Sequence, residues 1–246
     1  VSDGSDSPRP YLPRERDWQP PALAPEYKSS RLRSPNQPLL QLPTTLSEES
    51  GPVFGHARLG PGDNDLIHNY AAAGEAALGP RMLVHGYLRE QSGRAVPDAL
   101  IEVWQANAGG RYRHRNESYL APLDPNFGGC GRCLTDAAGY YRFTTIQPAP
   151  YPWPNGPNSW RPAHIHFSLF GVAFAQRLVT QMYFEGDPLI WLCPIVNAIP
   201  RREGVESLIA KLDMDAAAPM DMLAWRFDIT LRGRRQTPFE TRPEGL

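Results

Sequence analysis

The sequence has little cysteine, no long apolar run and no excess of charge of either sign. Three cysteines in 246 residues (Cys130, Cys133 and Cys193) cannot make the disulfide framework of a small secreted domain. The compartment expected is a reducing cytoplasm. No stretch of about 18 apolar residues occurs, so no membrane partner or membrane-crossing helix is expected. The opening residues, VSDGSDSPRPYLPRERD, show no apolar core of a secretory leader. Lys and Arg total 25 against 26 Asp and Glu, a balance that gives no electrostatic footprint for nucleic acid.

Uninterrupted helix-forming stretches are scarce too. Proline takes 27 positions and glycine 21, and proline runs at about twice its usual share. Proline lacks the backbone donor and clashes with the preceding turn, which argues against helical bundles and coiled coils. No Gly-X-Y period exists, so collagen is excluded. Six Trp, ten Tyr and nine Phe within 41% hydrophobic residues are too many for a disordered chain.

What is there reads as a mainly β protein. Strand-like runs are expected at 82–88, 99–105, 140–146, 164–169, 178–184 and 223–231. Turn signals such as Asp136-Ala137-Ala138-Gly139 lie between them. A β-sandwich core with long loops and few short helices is the expected fold, a closed barrel the alternative. One helix is expected at 203–212, where Val205, Leu208, Ile209 and Leu212 share a face, and a shorter one at 65–77. Residues 1–50 hold nine prolines and apolar anchors. They are expected to form an extended Pro-rich N-terminal arm, packed on their own domain or on a partner chain. Residues 51–246 are expected to form the catalytic domain.

The chemistry concentrates in two places. In Arg161-Pro162-Ala163-His164-Ile165-His166, residues i and i+2 of a strand share a face, so His164 and His166 project together. They stand about 7 Å apart along the strand, close enough to meet on one metal ion. No histidine follows His166, and the nearest downstream carboxylates, Glu185 and Asp187, flank a turn. Cys130 and Cys133 form one C-x-x-C pair, a zinc half-site or simply small residues in a turn. Tyrosine fills the gap. Tyr151 lies in PAPYPWPNGPNSWRP (148–162), where six of fifteen residues are proline, and Tyr112 lies in GGRYRH (109–114). A phenol near pKa 10 is protonated in water, but a trivalent cation reverses that preference. Two phenolates and two imidazoles suit ferric iron better than zinc.

The motifs WQANAGGRYRH (104–114), YLAPLDPNFGG (119–129), GPNSWRPAHIHF (156–167), QMYFEGDPLI (181–190) and KLDM (211–214) closely resemble intradiol ring-cleaving dioxygenases. The resemblance runs from WQPPALAPEYK (18–28) to RFDITLRG (226–233), nearly the whole chain. It implies a β-sandwich and an Fe(3+) cofactor held by Tyr112, Tyr151, His164 and His166, with Tyr151 and His166 axial. It implies protocatechuate (3,4-dihydroxybenzoate) and O2 as substrates, 3-carboxy-cis,cis-muconate as product, and a place in aromatic catabolism by the β-ketoadipate route. It implies a homologous α chain, joined in a hetero-oligomer. Tyr151 and Arg161 would act in catalysis, with Gln181 beside them. Tyr27, Trp153 and Ile195 would border the substrate. Trp104 reads equally well as a core residue. The alternatives are a catechol or hydroxyquinol 1,2-dioxygenase, whose helical N-terminal region is not seen here, or a non-catalytic β-sandwich assembly subunit.

Overall fold

A computed structural model describes residues 17–37, 59–170, 177–231 and 233–239. The remainder of the expected arm, 1–16 and 38–50, lies outside the described residues. The chain is mostly β. A short helix α1 (Lys28–Arg33) precedes strands β1 (Arg81–Arg89), β2 (Leu100–Gln105), β3 (Cys130–Leu134) and β4 (Tyr140–Ile146). A two-stranded hairpin follows, β5 (Tyr151–Pro152) with β6 (Trp160–Arg161). Then come β7 (His164–Phe170), β8 (Arg177–Phe184), helix α2 (Arg202–Glu206), β9 (Ile209–Leu212), β10 (Leu223–Arg226) and β11 (Ile229–Thr230). Among the described residues no helix is long and apolar enough to cross a membrane.

Among the described residues nine strands form one hydrogen-bonded sheet: eight follow the path β11-β1-β10-β9-β8-β7-β2-β3, and β4 lies beside β1. The path is folded on itself. Phe143 of β4 and Phe167 of β7 are five strand steps apart, which in a flat sheet is about 24 Å. Their ring centroids are 5.9 Å apart. Tyr141 and Phe227 also meet Phe167, so two leaves enclose one core, as expected for a sandwich. The two free edges are tied. Leu66 N–H donates to Thr144 O of β4, and Arg132 N–H of β3 donates to Asp63 O. Gly131 admits this plug, since a Cβ there would lie 2.2 Å from Leu66 Cδ1. Tying the edges removes an open template for aggregation.

The structure corrects several expectations. Residues 203–212 are not one helix. The chain leaves α2 at Glu206, and Ile209–Leu212 inserts as a strand between β8 and β10. Leu212, the fourth member of the apolar face, is 42% exposed. Residues 65–77 form turns, because Asp65 accepts from Ile67 N and Thr144 Oγ1 and bridges to β4. The run 223–231 is divided where Tyr87 N–H donates to the Asp228 carboxylate instead of a backbone carbonyl. Cys130 and Cys133, read as a zinc half-site or as small residues in a turn, lie on strand β3.

Candidate metal centre and substrate pocket

The site lies on the outer face of the leaf made by β2, β7 and β8. Ile165, Phe167 and Leu169 turn into the core, so His164 and His166 face outward beneath the loops. Cross-strand register puts Tyr183 opposite His164, with Trp104 and Gln181 flanking His166.

Sequence chemistry explains how Tyr112 arrives there. Past β2, the Asn107 side chain accepts from Gly109 N and Arg111 N and donates to Pro122 O. The Arg111 guanidinium donates to Ala121 O. Gly110 has φ +81°, and a Cβ there would stand 2.6 Å from Pro150 O and 3.3 Å from Tyr151 Cβ. Glycine thus lets the Tyr112 loop close on the Tyr151 hairpin. Gly110→Ala is expected to cost about 1–3 kcal/mol and to lower the metal content per chain. Urea unfolding and elemental analysis check both.

Four donors converge. Tyr112 Oη lies 3.4 Å from His164 Nε2 and 3.2 Å from His166 Nε2, and Tyr151 Oη lies 3.5 Å from His164 Nε2. Donors sharing one ion through bonds of about 2.1 Å, at near-tetrahedral or square angles, stand about 3.0–3.4 Å apart. The residues present therefore fit a metal ion. His164 Nδ1–H donates to Pro162 O at 2.7 Å. That carbonyl only accepts, so the Nε2 lone pair faces the phenols. His166 stacks on Trp104, centroids 4.7 Å apart and planes 5° from parallel.

Burial, and then the charge of Arg161, hold both imidazoles neutral. His164 is pushed far below its ordinary value, with His166 adding to the effect, and His166 falls to about 3. Burial raises the Tyr151 phenol, and Arg161 partly opposes the rise. Arg161 is only 5% exposed and stands directly across the β5–β6 hairpin from Tyr151. Its Nη2 donates to Gln181 Oε1 and to Tyr183 Oη. Burial alone would lower its pKa, but Tyr183, Cys193, Tyr151 and Tyr112 outweigh that and raise it. Among the described residues no carboxylate pairs with it.

Three more expected residues gather nearby. Tyr27 meets Trp153 edge to face at 5.6 Å, and the Arg161 guanidinium stands 5.8 Å from the Trp153 ring. Tyr27, Gln181 and Ile195 line one cavity with Arg33 and Tyr183. Tyr183 was not expected from sequence. It is fully buried, its Oη donates to Gln181 Oε1 at 2.7 Å, and only strand register marks it. The other candidates have structural partners. Asp187 accepts from Ala163 N and Leu189 N, and Glu185 pairs with Lys211. Cys130 is exposed and Cys133 buried, three residues apart on one strand, so they point to opposite faces. Burial pushes the Cys133 thiol up to about 12.

Sequence comparison agrees with this architecture. A family profile described as Dioxygenase matches residues 49–233. The chain belongs to the intradiol ring-cleaving dioxygenase family and is a dioxygenase enzyme. A second profile, the N-terminal part of the protocatechuate 3,4-dioxygenase beta subunit, matches residues 12–45. The protocatechuate 3,4-dioxygenase beta chain of Burkholderia cepacia is 48% identical over 96% of this chain and 99% of its own. The protocatechuate 3,4-dioxygenase alpha chain of Pseudomonas putida is 31% identical over 82% of this chain and 98% of its own. The solved hydroxyquinol 1,2-dioxygenase of Pseudomonas putida DLL-E4 shares the fold. Its TM-score is 0.53 at 23% identity, over 90% of this chain and 73% of that one.

Proposed function

We propose that the chain is the catalytic beta subunit of a protocatechuate 3,4-dioxygenase, working in the cytoplasm on aromatic catabolism with a homologous alpha chain. Residues 1–50 serve as its arm and residues 51–246 as its catalytic unit. It cleaves 3,4-dihydroxybenzoate between the two hydroxyl-bearing carbons, and both atoms of O2 enter the product, 3-carboxy-cis,cis-muconate. The observation that carries the reading is the pairing of two phenol oxygens and two neutral imidazoles with a buried cation that no carboxylate among the described residues neutralises. An uncompensated buried charge is costly and points to an anionic ligand.

Tyr112, Tyr151, His164 and His166 would hold a ferric ion. Bound there, it would supply a Lewis acid to a catechol and so make the ring reactive toward O2. The protein's own residues do the rest. Tyr151, a phenolate while it holds the ion, takes a proton at Oη from an incoming catechol hydroxyl. Arg161, braced by Gln181 and Tyr183, presents a fixed positive charge to the anion that develops on the ring. Tyr27, Trp153 and Ile195 orient the ring and exclude water. The balanced net charge fits a small anionic substrate met by local groups.

The test is oxygen uptake by the iron-loaded holoenzyme, with iron measured per chain. A reddish protein that consumes one O2 per 3,4-dihydroxybenzoate, and reacts much more slowly with catechol, is expected. Equal rates on both, or a colourless iron-free protein that is still active, would overturn the reading.

A further inference from the structure

We propose that Asn155 is a positioning residue that clasps the N-terminal segment onto the Pro-rich hairpin and so sets Tyr27 and Trp153 over the site. Asn155 is 6% exposed at a tip whose neighbours Pro154, Pro157 and Asn158 face solvent. Both ends of its side-chain amide are bonded. Oδ1 accepts from Lys28 N at 3.0 Å, and Nδ2 donates to Glu26 O at 2.9 Å. Those two groups belong to the peptide units on either side of Tyr27. The amide therefore pairs around Tyr27 as the N–H and C=O of one residue on a parallel strand would.

The geometry links this clasp to the site in both directions. Toward the arm, Tyr27 is held between the Trp153 ring and the Arg33 guanidinium, 4.7 Å from its centroid. Toward the hairpin, Trp153 N–H donates to Ser159 O. The next cross-strand pairs are Pro152 with Trp160 and Tyr151 with Arg161. One amide thus joins a segment more than a hundred residues away in sequence to the strand pair that carries Tyr151 and Arg161. Only an amide offers a donor and an acceptor in one plane at this reach. Serine, aspartate or alanine loses one bond or both.

The proposal rests on the reading that Tyr27 and Trp153 border the substrate. The experiment uses the iron-loaded holoenzyme with Asn155→Ala and Asn155→Asp. In the Ala variant KM for 3,4-dihydroxybenzoate is expected to rise about tenfold or more, with kcat within about twofold. The tyrosinate charge-transfer band and iron content stay at parent values. Limited trypsin digestion is expected to cut after Lys28 and Arg31 about tenfold faster. Asn155→Asp keeps the acceptor for Lys28 N–H but sets a carboxylate oxygen against Glu26 O, so it falls between parent and Ala. Parent KM in both variants overturns the coupling to the pocket. Parent digestion rates overturn the clasp itself. If the parent holoenzyme does not turn over 3,4-dihydroxybenzoate, the substrate reading fails, and digestion still decides the clasp.

Discussion

Replacing Arg161 with methionine is expected to lower kcat/KM for 3,4-dihydroxybenzoate by about 10²–10³, the usual cost of losing one preorganised charge-stabilising donor. The same change is expected to leave the melting temperature unchanged or raise it. The reason is the surroundings of the guanidinium. It is buried, its partners are the neutral Gln181 and Tyr183 side chains, and among the described residues no carboxylate compensates it. Desolvating such a cation opposes folding, and an apolar side chain of similar length removes that cost. Tyr183 still donates to Gln181 at 2.7 Å, so the brace survives. A group that lowers stability while serving the reaction is what a functional site requires. Steady-state kinetics and thermal unfolding of one variant decide it. Full activity in Arg161→Met would remove the guanidinium from the mechanism. A large drop in melting temperature would show that it serves mainly to hold the hairpin.

How far the sequence disclosed this site follows from what each residue does. His164 and His166 were legible because strand geometry forces i and i+2 onto one face. Tyr112 and Tyr151 were legible because proline and glycine around them mark fixed loops, and Gly110 is the point where those loops touch. Tyr183 was not singled out, and Trp104 was left open between the site and the core. A tyrosine in QMYF looks like any core tyrosine until strand register puts it opposite His164. Trp104 reads equally well either way until its stacking on His166 is seen. The same limit acted on the fold. The long alternating strands could be read directly. Strand β3 could not, because its buried positions are Gly131 and Cys133, a weak alternation. Residues 205–212 carry a spacing compatible with a helical face. The vacancy between β8 and β10, a tertiary fact, made 209–212 a strand.

Replacing Tyr151 with phenylalanine is expected to keep much of the iron, since Tyr112, His164 and His166 remain, but to slow substrate association by about 10². Its clearest sign is a change in pH dependence. Burial raises the Tyr151 phenol above the ordinary value near 10. A phenolate freed in that buried setting therefore holds a proton firmly throughout the neutral range. If Tyr151 acts as proposed, the substrate proton in the parent moves to its Oη without reaching solvent, and association is expected to be nearly flat from about pH 6 to 9. In Tyr151→Phe the proton must leave to bulk water, a release that rising pH favours. Apparent affinity then climbs with pH, by up to about tenfold per unit for one proton. Anaerobic titration of the charge-transfer band across that range measures both slopes. Parallel flat profiles would mean that Tyr151 moves no proton. A steep profile in the parent would place the acceptor outside the protein. Arg161 limits the contrast, because its charge opposes the rise at Tyr151. A double variant lacking both groups is expected to show the slope of the Tyr151→Phe protein, since the phenol that takes the substrate proton is absent from both.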